Sequence, residues 1–225
     1  MPSPQESIAL VTGASRGIGL AIKTLFEAKG ITVLAPTRAE LDLQNPESII
    51  AYVASLSMPV SILVNNAGIN ELADLAEVDT AMTERMLQVN LLSQLQLLQA
   101  LTPAMKVNRY GRIVNMASIW CEFSKERRLL YSVTKAGVKG LTTAAAVELA
   151  PYNVLVNAVA PGFVGTEMTR QNNSPEQLVQ LAAELPIRRL AEPNEIAEVV
   201  YFLASEQNTF ITGQTLFVDG GFSCV

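Results

Sequence analysis

Short apolar runs rich in β-branched residues alternate with longer helical patterns along almost the whole chain. The short runs predict strands at Ile8–Thr12, Ile31–Pro36, Val60–Asn65, Arg112–Ala117, Val154–Ala160 and Thr215–Val218. The longer patterns predict helices at Ile18–Lys29, Pro46–Leu56, Thr80–Met105, Leu130–Ala150 and Asn194–Ala204. Such alternation is typical of βαβ units, in which helices cover both faces of a parallel sheet. The sequence therefore predicts a doubly wound α/β fold.

The connection after the second predicted strand is too short for this pattern. Leu41-Asp42-Leu43 follows Pro36 within a few residues, which leaves no room for the crossover helix that joins two parallel strands. We therefore expect one helix to be missing and Leu41–Leu43 to form a stub of strand at the sheet edge. The polar, proline-containing segment Gly165–Arg189 is also irregular, and we expect short helices there, over the mouth of a site.

Composition limits the chemistry that the chain can perform. Of the 225 residues 49% are hydrophobic and 16% charged, which predicts one domain with a large buried core over residues 1–225. The chain has two cysteines and no histidine, so we expect neither a disulfide framework nor a metal site, and every histidine-based mechanism is excluded. Proton transfer near neutral pH therefore requires a carboxylate, or a Tyr, Lys or Cys with a shifted pKa.

The charge balance argues against two classes of partner. A net charge of −5 and a pI near 4.9 disfavour nucleic acid and anionic membranes, which bind concentrated basic surfaces. The chain begins without a basic leader and contains no apolar run of about 18 residues. We expect a cytoplasmic protein.

A glycine-rich loop follows the first predicted strand. It reads Thr12-Gly13-Ala14-Ser15-Arg16-Gly17-Ile18-Gly19 and lies where a doubly wound fold presents the N-terminus of a helix to a phosphate. Its glycines allow a tight turn and close approach of a pyrophosphate to the backbone. The spacing differs from the general dinucleotide fingerprint, and the same residues also suit an ordinary strand-to-helix turn.

Further motifs share the order and separations of one family. They are Asn65-Asn66-Ala67-Gly68, Asn90, Ser118, Tyr131-x3-Lys135 and Pro161-Gly162. Together with the glycine loop they resemble the short-chain dehydrogenase/reductase family over nearly the whole chain, and within it the 3-oxoacyl-carrier-protein reductases look closest. The resemblance implies a Rossmann fold that binds NADP(H). The departures from the family are the missing helix and the unusual stretch Trp120–Arg128.

The pair Tyr131 and Lys135 is suited to acid–base chemistry, apart from any resemblance. The two residues are four positions apart on a predicted helix, so their side chains emerge on one face. A lysine ammonium stabilises a phenolate and lowers the pKa of the phenol, so tyrosine can replace histidine as acid or base. Ser118 lies at the carboxyl end of a predicted strand, where parallel sheets bind ligands. Without Ser118, Tyr-x3-Lys is better explained as an ordinary pair on the surface of a helix.

The resemblance implies a role for each catalytic residue. Ser118 would hydrogen-bond the substrate oxygen, Tyr131 would donate its proton, and Lys135 would also hold the nicotinamide ribose. Asn90 would anchor a water that connects Lys135 to solvent. The alternative for Asn90 is an amide that satisfies a neighbouring backbone group inside a helix.

The resemblance also implies the cofactor-binding residues. Asp42 and Leu43, just after the missing helix, would lie near the adenine. Pro161-Gly162 with Val164 and Thr166 would meet the nicotinamide carboxamide, although Pro161-Gly162 also suits an ordinary loop. Asn65-Asn66-Ala67-Gly68 would pass close to the adenosine ribose, or form a simple turn. The full predicted set is Gly13, Ser15, Arg16, Gly17, Ile18, Gly19, Arg38, Asp42, Leu43, Asn65, Ala67, Gly68, Tyr131, Lys135, Pro161, Gly162, Val164 and Thr166.

Two arginines favour NADP over NAD. An NAD enzyme places an acidic residue after the second strand to bind the adenosine ribose, whereas here Pro36-Thr37-Arg38 occupies that place. Arg38 and Arg16 together would clamp a 2′-phosphate. In the alternative, Arg38 is a turn residue that faces solvent and Glu40 accepts the ribose hydroxyls.

The sequence is compatible with more than one class of substrate. The resemblance favours a small-molecule or carrier-bound carbonyl, with a 3-oxoacyl thioester as the leading candidate. The polar lid Gln171-Asn172-Asn173 and the ring of Trp120 suit a sugar or other polar ketone instead. A non-catalytic cofactor-binding regulator is a third alternative, against which the complete set Ser118, Tyr131 and Lys135 argues.

Further predictions concern residues near Ser118, Tyr131 and Lys135. We expect Trp120 and Phe123 to line an apolar substrate wall, whereas a reactive role for Cys121 is disfavoured because no histidine can form its thiolate. The run Lys125–Arg128 is interpreted as a solvated loop, or as basic residues that meet an acidic carrier protein. Arg109 and Arg170 match basic positions of the carrier-protein reductases.

Surplus apolar residues on two long helices predict a homo-oligomer. The helices Thr80–Met105 and Leu130–Ala150 carry leucine and alanine around more of their circumference than one sheet face covers. Such area usually marks a subunit interface. We expect a tetramer or a dimer, with the apolar ending Gly220–Val225 as a second contact.

Overall fold

The computed structural model describes residues 7–171 and 173–225, and a parallel sheet forms its centre. The strands are β1 (Ile8–Val11), β2 (Thr32–Leu34), β3 (Ile62–Asn65), β4 (Gly111–Met116), β5 (Val154–Pro161) and β6 (Thr215–Val218). Their order across the sheet is β2-β1-β3-β4-β5-β6, and every pairing is parallel. The predicted doubly wound α/β architecture is confirmed, and each predicted strand is present with bounds that differ by at most two residues.

The helices pack on both faces of this sheet. In chain order they are α1 (Gly17–Ala28), α2 (Pro46–Ala54), α3 (Thr80–Leu87), α4 (Ser93–Asn108), α5 (Leu129–Leu149), α6 (Glu167–Gln171), α7 (Pro175–Glu184) and α8 (Pro193–Ala204). None of the helices in the described ranges is both long and apolar enough to cross a membrane.

Strand residues alternate between two apolar cores. Ala9 and Val11 of β1 face a core built with α1 and α8, whereas Ile8 and Leu10 face a core built with α2, α4 and α5. Successive side chains of a strand point to opposite faces, so a strand buried on both sides is apolar at every position. This explains why the strands appear in the sequence as continuous apolar runs.

The predicted single helix Thr80–Met105 is interrupted in the structure. Between α3 and α4 the segment Gln88–Leu92 forms a π-helical turn, and α4 continues to Asn108. A π-turn adds one residue to the helical repeat and often marks a functional position. Asn90 lies within this turn.

No helix lies between β2 and Leu41, as predicted, but the predicted strand stub at Leu41–Leu43 is wrong, and α2 joins β2 to β3. The backbone amides of Glu40 and Leu41 bond the Thr37 carbonyl at 3.1 and 2.9 Å, and the Asp42 amide bonds Ser48 Oγ at 3.0 Å. These amides are therefore unavailable for strand pairing. Leu41 instead buries its side chain in the core beside α2 and α4.

The segment 165–189 forms short helices over the site, as predicted. Helix α6 begins directly after Thr166, and α7 begins at Pro175 behind a Ser174 cap whose Oγ accepts from the Gln177 amide at 3.3 Å. Thr166, Glu167, Thr169 and Asn173 border the cleft described below. Asn172 of the predicted polar lid lies outside the described residues.

Candidate active site

A cleft of about 550 Å³ opens at the carboxyl ends of β1, β3, β4 and β5. The sheet order places β1 beside β3, and the chain leaves this point in opposite directions. Doubly wound sheets bind their ligands at such a switch point, and the cleft volume lies in the ordinary range for ligand pockets, about 300–1,000 Å³.

The glycine loop forms the floor of one half of this cleft. Gly13 has a φ of +66°, and a Cβ added there would lie 2.9 Å from Ala67 Cα. A Cβ on Gly19 would lie 2.2 Å from the Gly13 carbonyl oxygen. Only glycine fits either position, so the loop passes close to the end of β3. Ser15, Arg16, Gly17 and Ile18 also line the cleft.

Two residues that the motif analysis left without a role hold this loop in place. Thr12 Oγ1 accepts from the backbone amides of Asn66 and Ala67, both at 3.0 Å. Asn66 Nδ2 donates to the carbonyl oxygens of Thr12 and Gly13 at 3.0 and 3.1 Å. Thr12 and Asn66 both belong to the motifs quoted from the sequence, but no local pattern shows that they bond each other.

Asn65 does not line the cleft, unlike Ala67 and Gly68 of the same motif. Its Nδ2 donates to Asn115 Oδ1 at 2.9 Å inside the sheet, and Asn115 Nδ2 donates to Thr142 Oγ1 at 3.0 Å. This buried chain of polar groups ties β3 to β4 and α5. Asn65 therefore supports the site from below instead of contacting what binds in it.

Ser118, Tyr131 and Lys135 come together at the other half of the cleft, and all three line it. Ser118 follows β4, and its Oγ accepts from the Trp120 amide at 3.3 Å. Lys135 is 3% exposed and donates from Nζ to the Met116 carbonyl at 2.6 Å. Its Nζ lies 5.5 Å from the centroid of the Tyr131 ring.

Burial shifts the pKa values of both titrating groups. It lowers the pKa of Lys135 to about 8, because the charged ammonium loses hydration. Burial raises the pKa of Tyr131, while the hydrogen bond with Ser118 and the charge of Arg128 oppose that rise. The expected lowering of the Tyr131 pKa by Lys135 is therefore not found in the protein alone, where desolvation dominates.

Asn90 is fully buried in the π-turn and organises the loop behind Lys135. Its Oδ1 accepts from the Ile69 amide and its Nδ2 donates to the Ile69 carbonyl, both at 2.8 Å, and to Thr134 Oγ1 at 3.2 Å. These bonds match the alternative role of Asn90, in which its amide satisfies neighbouring backbone groups. The bond to Thr134 also links the π-turn to α5, which carries Tyr131 and Lys135.

The segment after β5 closes the same end of the cleft. A Cβ on Gly162 would lie 2.8 Å from Asp219 Cα, so the chain passes close to the end of β6. Val164 pairs with Ala191 in an isolated bridge, and the Thr166 amide bonds the Val164 carbonyl at 2.7 Å. Pro161, Gly162, Val164 and Thr166 all line the cleft, as predicted.

The charged residues at the far end of the cleft are paired with acids. Arg16 Nη1 lies 2.8 Å from Glu167 Oε2, and Arg38 Nε lies 3.7 Å from Asp42 Oδ1. Arg38, Asp42 and Leu43 line the cleft. Glu40 is not among the lining residues, since its carboxylate accepts from the amide and hydroxyl of Thr37 at 2.7 and 2.9 Å.

Of the residues expected to lie near Ser118, Tyr131 and Lys135, some line the cleft and others do not. Trp120 lines the cleft as predicted, but Phe123 does not, because it packs against Phe217 and Phe222 at 6.4 and 5.6 Å between ring centroids. Cys121 is buried outside the cleft lining, and burial raises the pKa of its thiol. Arg128, interpreted as part of a solvated loop, is half-buried and lines the cleft.

Arg109 does not stand near the entrance. It ends α4 just before β4 begins, so it lies at the amino edge of the sheet, opposite the cleft. Its Nη2 donates to the Pro151 carbonyl at 3.1 Å. Arg170 lies on α6, beside the cleft, and its side chain is exposed.

The site fits a nicotinamide dinucleotide. The first turn of α1 has no side-chain cap, because Arg16 at the cap position is extended and makes no such hydrogen bond. Its amides are therefore open to a diphosphate. The lining residues run from Arg38 and Asp42 past the glycine loop to Tyr131 and Lys135, so the two ends belong to one continuous cleft that suits an extended ligand.

Comparisons with known proteins agree with this geometry. A family model described as "Enoyl-(Acyl carrier protein) reductase" matches residues 35–223. The 3-oxoacyl-acyl-carrier-protein reductase FabG of Vibrio cholerae is 39% identical, covering 96% of this chain and 97% of its own. The acetoacetyl-CoA reductase of Shinella zoogloeoides is 36% identical, covering 95% and 97%.

A solved structure gives the same fold. The putative NAD(P) dependent gluconate 5-dehydrogenase from Beutenbergia cavernae, with bound NADP at low occupancy, has a TM-score of 0.92 at 33% identity and covers 99% of this chain and 100% of its own. The alignment with the Vibrio relative runs over 238 positions, more than the 225 residues of this chain, so that relative carries residues that this chain lacks. The similarity over nearly the whole length shows that the chain belongs to the short-chain dehydrogenase/reductase family, whose members are oxidoreductases that use a nicotinamide cofactor.

Proposed function

We propose that the chain is an NADP(H)-dependent reductase that converts a ketone to a secondary alcohol. The observation that carries this proposal is the convergence of Ser118, Tyr131 and Lys135 in the cleft that also contains the glycine loop. A hydroxyl donor, a titrating phenol and a buried cation beside a dinucleotide-binding loop suit general acid catalysis of hydride transfer.

Tyr131 supplies the proton in this mechanism. When bound, the reduced nicotinamide supplies the hydride that the ketone carbon accepts. Burial keeps the pKa of Tyr131 above its usual range, so its hydroxyl is protonated at neutral pH and donates to the ketone oxygen as that oxygen becomes an alkoxide. Ser118 Oγ donates a second hydrogen bond to the same oxygen.

Lys135 stabilises the phenolate that this transfer leaves. With a pKa of about 8, its ammonium is mostly protonated at neutral pH, and it lies on the face of α5 that carries Tyr131. The Met116 carbonyl holds Nζ in place. Lys135 is also placed to hold the ribose of the nicotinamide, because it lines the cleft beside Gly68.

NADP is the proposed form of the cofactor. Arg16 and Arg38 both border the adenosine end of the cleft, while Glu40, the rival ribose acceptor, uses its carboxylate within its own turn. Asp42 also borders this end, near Arg38. The NADP in the related gluconate 5-dehydrogenase structure supports the same choice.

Two substrate classes have support. The curated relatives favour a 3-oxoacyl thioester. A polar ketone is favoured by the gluconate 5-dehydrogenase neighbour, and by Asn173 and Arg128 in the cleft lining. A non-catalytic regulator has no use for the complete catalytic set.

A homo-oligomer remains part of the proposal. The apolar residues Leu129, Val133 and Val147 of α5 are 43%, 50% and 75% exposed, and Val107 of α4 is 83% exposed. A second copy of the chain would cover this surface. The single domain over residues 1–225 and the cytoplasmic location stay predictions from the sequence.

The test is NADPH oxidation against a panel of ketones. The panel contains acetoacetyl and longer 3-oxoacyl thioesters, keto sugars, keto acids and aromatic ketones, each also assayed with NADH. We expect turnover of at least one class with NADPH. A protein that binds NADPH but reduces no member of the panel would favour the regulator.

A further inference from the structure

One cation of the cleft takes no part in the mechanism above. Arg128 immediately precedes α5 and lies three residues before Tyr131. It lines the cleft, and its guanidinium carbon lies 5.7 Å from the centroid of the Trp120 ring. The neighbouring Arg127 is different, because it has a φ of +65°, does not line the cleft and lies 3.7 Å from Asp74.

The charge of Arg128 has no acidic counterpart within residues 7–171 and 173–225. Burial lowers the pKa of its guanidinium, and Tyr131 is the charge partner that opposes this. Glu122 of the same loop pairs with Lys139, and the first turn of α5 contains no acidic residue. A cation that has lost part of its hydration without gaining a carboxylate is unfavourable by itself.

An anion in the cleft would remove this disadvantage. The guanidinium is planar and presents several N–H donors, so beside the Trp120 ring it is able to form a paired bond to a carboxylate. A neutral ester or thioester oxygen accepts hydrogen bonds but does not neutralise the charge. An unpaired guanidinium of this kind favours an ionised substrate over a neutral one.

We propose that Arg128 binds a carboxylate of the substrate while Ser118 and Tyr131 hold its ketone oxygen, so that the enzyme reduces oxo acids to hydroxy acids. This inference rests on the proposed ketone reduction and restricts the substrate to ketones that also carry a carboxylate. The ketone carbon gains the hydride, its oxygen gains the Tyr131 proton, the nicotinamide is oxidised, and the carboxylate is unchanged.

The experiment compares each keto acid with its own neutral ester. The substrates are 2-oxo-, 3-oxo-, 4-oxo- and 5-oxohexanoate and their methyl esters, assayed with NADPH for the wild type, Arg128→Met, Arg128→Lys and the control Arg127→Met. For the preferred acid we expect Arg128→Met to lower kcat/KM by about 10- to 100-fold, the value of one charge-assisted paired bond. Its ester should change less than threefold, Arg128→Lys should recover part of the loss, and Arg127→Met should behave as wild type.

Each other result has a definite meaning. Equal losses on acid and ester would overturn the proposal, because Arg128 would then position Tyr131 or bind a neutral oxygen. No loss on any acid, or a wild type that prefers every ester, would overturn it as well.

A binding measurement separates this proposal from the reductase assignment. Calorimetric titration of the four hydroxyhexanoates into the wild type with NADP should show binding that Arg128→Met weakens at least tenfold and Arg127→Met does not. If the wild type binds such an acid through Arg128 but reduces no ketone, the proposed reaction fails and the carboxylate site stands. If it reduces ketones but binds the acids independently of Arg128, the carboxylate site fails alone.

Discussion

The two ends of the cleft are built in different ways. At the catalytic end Ser118, Lys135 and Asn90 are at most 7% exposed, and the hydrogen bonds of Lys135 and Asn90 link separate elements of the fold. At the adenosine end the side chains of Arg16 and Arg38 are 66% and 73% exposed and are held by surface ion pairs. Buried polar groups are rigidly placed, whereas exposed ion pairs contribute only about 0–1 kcal/mol.

We therefore expect the catalytic end to determine the turnover rate and the adenosine end to determine the choice between NADPH and NADH. A substitution at the catalytic end removes an interaction that the surrounding packing cannot replace, so it should change turnover. The arginines at the adenosine end can leave their acidic partners at small cost and move to a ligand. They should therefore act on the choice of cofactor, with little influence on the chemical step.

The largest effect is expected for Tyr131→Phe. Removing the hydroxyl removes the general acid, so kcat should fall at least about a hundredfold. The NADPH dissociation constant should stay within about twofold, because the ring is retained. Steady-state kinetics and fluorescence titration measure the two quantities, with Tyr152→Phe on the protein surface as control. Retention of more than about a tenth of the turnover contradicts the assignment.

Lys135 should leave a signature in the pH dependence of stability. Its pKa is about 8 in the folded protein and about 10.4 when unfolded, so the unfolded state binds more protons between these values. The free energy of unfolding should rise with pH across this window, by about 2 kcal/mol between pH 7.5 and 9.5. Below pH 8 the destabilisation that comes from burying the charged Lys135 is fully present.

Urea unfolding of the cofactor-free protein measures this rise. Lys135→Met should lack it, and the difference between wild type and variant removes the titration of groups that both share and that do not interact with Lys135. The control Lys139→Met, which loses an exposed ion pair with Glu122, should keep the rise. Parallel curves for wild type and Lys135→Met would show that Lys135 is not desolvated.

The sequence predicted the parts of this molecule that depend on local patterns. Apolar runs locate the strands because β1 and β3 are buried on both faces. Tyr131 and Lys135 share a helix face by spacing alone. Gly13 and Gly19 are recognisable because the turn admits no side chain there.

Contacts between distant segments were not predictable in this way. The pairing of Arg16 with Glu167 joins residues 151 positions apart, and the bonds of Asn66 to the glycine loop depend on the strand order. The π-turn at Asn90 changes the helical repeat by one residue, which apolar periodicity does not reveal. The position of Arg128 in the cleft was not predicted, because the residue belongs to the charged run Lys125–Arg128. Its spacing of three residues from Tyr131 could have indicated that the two side chains lie close together.

Arg16→Ala and Arg38→Ala should lower the preference for NADPH. Each guanidinium contributes about 1.5–3 kcal/mol if it pairs with the 2′-phosphate, so kcat/KM for NADPH should fall about tenfold or more in each variant. The value for NADH should hardly change, because NADH lacks that phosphate. Arg109→Ala, on the opposite edge of the sheet, is the control. If the wild type prefers NADH, or if the ratio of the two values is unchanged in Arg38→Ala, the proposed phosphate clamp is wrong.

The smallest effect is expected for Glu167→Gln, which removes the acidic partner of Arg16 at the adenosine end. Glu167 Oε2 holds Arg16 Nη1 at 2.8 Å, so Arg16 must leave this partner before it can bind a 2′-phosphate. Because the pair is exposed, its loss is worth at most about 1 kcal/mol, and NADPH should bind about two- to threefold more tightly to the variant.

Three comparisons identify the cause of that change. NADH binding should stay constant, the gain should shrink at high salt because exposed charges are screened, and it should vanish when Arg16→Ala is already present. An equal gain for NADH would instead mean that Glu167 acts through the position of α6 over the cleft. In that case the adenosine end would be coupled to the lid, and its arginines would no longer be independent of the catalytic end.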